Sequence, residues 1–164
     1  MTISVGDTLP NATLLHMQDG RPAAVDLAER IAGKKVVIFG LPGAFSGTCD
    51  NVHLPSFLDN KAGFDAAGVD EIICVTVNDP FVVGAWDAAT GASAGGVTIL
   101  GDSSGAFTKA LGVNFDAEVV GFYGRSNRYA MLVENGEVKL FQLDPPQTCA
   151  AAMGGPLLEA INSL

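Results

Sequence analysis

The sequence predicts an α/β domain with a central mixed sheet and helices on both faces. Three observations point there. Strand-sized apolar runs alternate with helix-sized stretches along the chain. Residues 36–41 are continuously apolar and 71–77 nearly so, the pattern of strands buried on both faces of a sheet. Near the C-terminus, Asn135-Gly136 separates 128–134 from 137–143, a two-residue turn signal that adds an antiparallel pair.

The elements follow in order. Residues 11–17 are expected as a strand, followed by a turn at Asp19-Gly20. Residues 25–32 read as a short helix closed by Gly33. The strand at 36–41 leads into a loop at 42–48. A helix is expected from Thr48 or Cys49, with Pro55 set to kink or interrupt it. After the strand at 71–77, Asn78-Asp79-Pro80 resembles a helix start, with a cap residue ahead of a first-turn proline. That helix should reach about Ala89. A strand at 97–100, a helix from Ser103 or Ser104 to Leu111, the hairpin, a loop opened by Pro145-Pro146 and a helix at 156–163 complete the chain. No repeat, linker or low-complexity stretch divides it, so residues 1–164 are expected to form one domain.

Composition agrees with a packed core: 48% of residues are hydrophobic and 16% charged. A net charge of −9 argues against nucleic acid or an anionic membrane as a partner, since both require clustered Lys and Arg. The first ten residues lack the basic start and apolar run of a secretory signal, and no stretch approaches the roughly 20 apolar residues of a membrane span. A cytoplasmic protein is expected. Cys49, Cys74 and Cys149 lie 25 and 75 positions apart with no CxxC, and the histidines are His16 and His53. Neither a zinc site nor a bound cofactor is expected. An odd cysteine count in a reducing compartment points instead to thiols, at least one of them reactive.

The segment Phe39-Gly40-Leu41-Pro42-Gly43-Ala44-Phe45-Ser46-Gly47-Thr48-Cys49 carries the chemistry. A buried strand enters a Gly/Pro loop, and the loop enters a helix with a cysteine in its first turn. Helix N-termini present unpaired N–H groups and the positive end of a dipole, and both favour thiolate over thiol. Asp50 opposes this, although its side chain has the option of turning to solvent. From position alone, a catalytic thiolate and a buried structural thiol both remain open. The glycines fit neither GxGxxG nor a P-loop, and Ser46 is not in GxSxG.

Pro42 to Cys49 resembles the P-x-x-x-[TS]-x-x-C active-site loop of peroxiredoxins. With His53-Leu54-Pro55-Ser56-Phe57 it is similar to the type II (five-type) class. The likeness continues through Val75-Thr76-Val77-Asn78-Asp79-Pro80-Phe81, Ala85-Trp86 and Gly124-Arg125-Ser126-Asn127-Arg128-Tyr129-Ala130-Met131, in order over nearly the whole chain. Ser46 stands where Thr is common and keeps the hydroxyl. Gly47 stands where Pro is common and should loosen the loop.

The resemblance implies a thioredoxin-like fold and a thiol peroxidase. Cys49 would attack hydrogen peroxide or a small organic hydroperoxide and become a sulfenic acid. Arg128 would hold its guanidinium near thiolate and peroxide, Ser46 would orient the peroxide, and Pro42 would shield the sulfur. Arg125 is the weaker arginine, read as a turn or surface charge, and His53 as a helix-packing residue. Trp86 and Phe81 read as packing or dimer contacts. Cys149, in a segment of turn formers, is the first choice for a resolving thiol, and Cys74, in a central strand, the second. Thioredoxin, or glutaredoxin with glutathione, would be the reductant, and the class implies a homodimer. The alternatives are a thiol–disulfide oxidoreductase, weakened because Ser46 replaces a second cysteine three positions before Cys49, and a non-enzymatic redox sensor.

Overall fold

The computed structural model describes residues 1–164, apart from the side chain of Cys49. Strands β1 (Thr13–Gln18) and β2 (Arg21–Asp26) open the chain as a hairpin. Its turn residues Asp19 (φ 52°) and Gly20 (φ 78°) are both left-handed, as a tight hairpin turn requires. β2 was not expected and takes residues 25 and 26 from the predicted helix. Pairing with β1 wins there over local helix propensity. Helix α1 is the shorter Leu27–Ile31, capped by the Asp26 carboxylate, which accepts the Glu29 N–H.

The centre of the sheet is parallel: β3 (Lys35–Leu41), β4 (Glu71–Thr76) and β5 (Val97–Gly101) lie side by side. β8 (Tyr129–Glu134) runs antiparallel to β3, and β9 (Glu137–Leu143) to β8 through the Asn135-Gly136 turn. The order β2-β1-β5-β4-β3-β8-β9 makes a mixed seven-stranded sheet. Side chains alternate across it. Val37, Phe39, Leu41, Ile72, Cys74, Ala130 and Leu132 pack on one face, with α2 (Leu54–Asp59), α3 (Lys61–Ala66), α4 (Pro80–Thr90) and α6 (Gly154–Asn162). Val36, Ile38, Ile73, Val75, Tyr129 and Met131 pack on the other, with α1 and α5 (Ala106–Leu111). Each large apolar side chain buried this way contributes on the order of 1.5–3 kcal/mol relative to exposure.

The start signal read from sequence is present at α4, where Asp79 accepts the Val82 N–H ahead of Pro80. The helix runs to Thr90, one residue past the expected end, and Gly91 (φ 70°) closes it. α5 begins at Ala106 instead of Ser103 or Ser104, because Gly105 (φ 75°) still belongs to the preceding turn. The Asp102 carboxylate satisfies the first amides there, at Phe107 and Thr108. Besides β2, three further elements were not expected. α3 is one. The others are β6 (Asn114–Ala117) and β7 (Phe122–Ser126), a separate bulged ribbon.

Register places the ends of β3, β4 and β5 and the start of β8 at one edge: Leu41 lies beside Thr76, Thr76 beside Gly101, and Gly40 beside Tyr129. The loops that follow these strands gather there. Close packing at this edge depends on Gly40, because any Cβ would collide with the Tyr129 ring. Among the described residues, no helix is long and apolar enough to cross a membrane.

Candidate active site

The loop 42–48 is held by side chains from two other elements. The Ala44 N–H donates to Asn78 Oδ1 at 3.0 Å, and Thr76 Oγ1 donates to the same oxygen at 2.6 Å. Arg125, in β7, donates from Nη1 to Pro42 O at 3.0 Å and lies over the Phe122 ring, 5.0 Å from its centroid. Gly43 leaves the space this guanidinium occupies. Arg125 is thus half-buried and tied to the loop, not the surface charge expected from sequence. Ser46 Oγ donates to Gly43 O at 2.8 Å and closes the turn from inside.

The helical backbone starts here. The Asp50 N–H reaches Ser46 O at 3.0 Å, so the helix opens at residue 47, slightly earlier than expected. Cys49–His53 then form a π-helical turn before α2, with Pro55 in the first turn of α2. Proline has no N–H to continue the α-helical ladder, so the change of register just before it has a direct cause. The side chain of Cys49 lies outside the described residues. Asp50 does not turn to solvent: its Oδ1 accepts the Trp86 indole N–H at 2.7 Å. Trp86 itself is fully buried, and Phe81 is exposed.

His53 is fully buried against Phe39 and Phe57, whose rings stack on each other at 3.8 Å. Its Nε2 donates to Ala152 O at 2.9 Å, which leaves Nδ1 to accept from Arg128 Nη1 at 3.3 Å. Burial lowers the His53 pKa to about 4. The Ala152 carbonyl acts in the opposite direction, the Arg128 charge adds to the lowering, and the Asp144 carboxylate opposes it. Arg128 immediately precedes β8 and is half-buried. Asp144 is buried at the other end of the same link and accepts the N–H groups of Ala150, Ala151 and Ala152.

Pro42, Thr48, Arg128 and Cys149 line one cleft of about 320 Å³, with Phe115 and Phe122 from the ribbon as its apolar wall. Cys149 is partly exposed. Cys74 is fully buried in the core beneath the sheet surface. Sequence reasoning had not picked out Asn78, the grip of Arg125 on Pro42, or Asp144. The Asn-Asp-Pro run was read only as a helix start, and nothing near Asp144 marks a carboxylate that serves amides six to eight residues on.

The Redoxin family pattern matches residues 4–153. Peroxiredoxin-2E-2, chloroplastic, of Oryza sativa subsp. japonica is 41% identical over 164 residues, spanning 98% of this chain and 73% of that protein. The chain belongs to the peroxiredoxins. Peroxiredoxin-2C of Arabidopsis thaliana is 35% identical over 160 residues, with 97% and 98% covered. A crystal structure of reduced Prx3 from Vibrio vulnificus in complex with hydrogen peroxide is 40% identical, covers 98% of this chain and 97% of its own, and superposes with a TM-score of 0.91. This peroxiredoxin has the thioredoxin-like fold and is a thiol peroxidase.

The buried imidazole makes the peroxiredoxin sensitive to acid. Between pH about 6.5 and about 4 the unfolded chain binds a proton at His53 that the folded protein excludes. Stability therefore falls as pH falls through that window, by on the order of 3 kcal/mol from this residue. Urea midpoints measured from pH 7 to pH 4 should drop, and the slope should flatten in His53→Gln. An equal slope in the variant would remove His53 as its source.

Proposed function

We propose that Cys49 is the peroxide-attacking thiol of this peroxiredoxin, that Pro42, Ser46 and Arg128 complete its site, and that residues 1–164 act as one domain. The observation that carries this is the cleft shared by Pro42, Thr48, Arg128 and Cys149 at the start of the helix bearing Cys49. The helix N-terminus favours the thiolate. Its sulfur attacks one peroxide oxygen and the O–O bond breaks. The bound oxygen stays on sulfur as sulfenic acid, and the other leaves with a proton as water or an alcohol. Arg128, oriented by His53, stabilises the oxygen that gains charge. Ser46 orients the peroxide, and the buried Pro42 keeps water from the sulfur. Hydrogen peroxide and small organic hydroperoxides suit a cleft with one apolar wall.

Cys149 is the resolving thiol in this reading, since it lines the same cleft, whereas Cys74 is sealed in the sheet. The resulting disulfide would be reduced by thioredoxin. Glutathione with glutaredoxin, acting directly on the sulfenic acid, is the second reading, favoured by the openness of the cleft at Thr48 and Gln147. Either route needs a reducing compartment, such as the cytoplasm. Phe45, Phe81, Val120 and Tyr123 are all more than half exposed, apolar area that a second copy would cover in a homodimer.

Three measurements test these assignments. Stopped-flow oxidation by peroxide should vanish in Cys49→Ser. It should slow by about 100-fold or more in Arg128→Ala, and less in Arg125→Ala, which acts indirectly through the Pro42 carbonyl and the Phe122 ring. Ser46→Ala should also be impaired and Ser46→Thr tolerated. Normal turnover by Cys49→Ser would sink the assignment, and the reverse ranking of the arginines would transfer the role to Arg125. Non-reducing peptide mapping after one equivalent of peroxide should find Cys49 joined to Cys149. A Cys49–Cys74 link would overturn that choice, and a lasting sulfenic acid would favour direct external reduction. Sedimentation at micromolar concentration should give twice the 16.8 kDa of one chain, and a monomer would refute the dimer.

A further inference from the structure

Asp144 follows β9 and is 2% exposed, yet no step described above uses it. Its carboxylate accepts the N–H groups of Ala150 and Ala151 at 2.8 Å each and of Ala152 at 3.2 Å. Its own N–H donates to Arg128 O at 2.9 Å. One residue thereby joins both ends of segment 145–149 and fixes their base beside the start of β8. Inside the loop, Thr148 N–H and Oγ1 both donate to Pro145 O, at 3.1 and 2.7 Å, and Gln147 adopts φ 66°. Cys149 stands one residue before the first clamped amide, on the wall of the cleft. Beyond the clamp the chain has other anchors: Ala152 O is held by His53, and the Gly154 N–H donates to Ser56 Oγ at 3.0 Å.

We infer that Asp144 is a positioning residue for disulfide formation, its carboxylate closing the loop that presents Cys149 to the cleft. The inference rests on the reading of Cys149 as the resolving thiol. In that step the Cys149 sulfur gives up its proton and attacks the sulfur of the Cys49 sulfenic acid. The S–S bond forms, the S–O bond breaks, and the hydroxyl leaves with a proton as water. A loop closed at its base holds the attacking sulfur in a smaller volume than an open tether would, which raises its effective concentration. Without the carboxylate, residues 145–151 lose their common anchor while residue 152 onward stays attached.

The test separates the two chemical steps by rapid quench, thiol alkylation and mass spectrometry, with thermal unfolding measured in parallel. In Asp144→Ala, disulfide formation should slow by about tenfold, while the peroxide step changes by less than about threefold. Asp144→Asn keeps one acceptor oxygen and should fall between Ala and wild type. It carries the same comparison of rates where the Ala variant does not fold. At excess peroxide the slower variants should accumulate more sulfinic acid at Cys49. Equal slowing of both steps, in proportion to lost stability, would reduce Asp144 to a structural role and overturn the inference. A wild-type disulfide rate in both variants, with the disulfide absent from Cys149→Ser, would overturn the inference alone. If Cys149→Ser forms the wild-type oxidised product, the choice of Cys149 fails and the inference falls with it.

Discussion

The neutral His53 ring joins three stretches of chain that are remote in sequence. It belongs to the π-helical turn, receives Arg128 from the start of β8, and gives its proton to Ala152 just ahead of α6. The bond to Ala152 would survive protonation, but the one from Arg128 requires an uncharged imidazole, because an imidazolium has no lone pair to accept with and would repel the guanidinium. The packing of Phe39 and Phe57 that excludes water from the ring is therefore also what makes it an acceptor. Core packing and site electrostatics meet in this one residue.

An aromatic nitrogen also serves here better than a carboxylate would. A carboxylate at the same place would orient the arginine and cancel much of its charge. A neutral ring orients it and leaves the charge directed at the cleft. The Asp144 carboxylate is near enough to influence His53, yet its hydrogen bonds are spent on backbone amides.

Much of this was readable in the sequence, and for identifiable reasons. The strands around 36–41 and 71–77 and the hairpin at Asn135-Gly136 are set by apolar runs and a turn dipeptide, which are local signals. The loop-to-helix placement of Cys49 is also local. β2 was missed because Arg21-Pro22-Ala23-Ala24 carries no strand pattern, and only its pairing with β1 makes it one. The β6–β7 ribbon was missed because Gly121 and Gly124 break any apolar run. The ties among Arg125, Pro42, Asn78, His53 and Asp144 join residues 34 to 99 positions apart, or run from a side chain to backbone amides, and no spacing rule encodes them. The inward turn of Asp50 belongs with these, since it depends on an indole on α4.

That indole has an optical consequence. Trp86 is the only tryptophan in the chain, so all tryptophan emission of the protein originates at one ring. The ring is sealed from solvent, and its N–H is bonded to the residue directly after Cys49. Rearrangement of that turn that breaks this bond changes the polarity around the sole indole fluorophore, so the protein carries a built-in spectroscopic probe of the segment bearing its thiol, with no label attached.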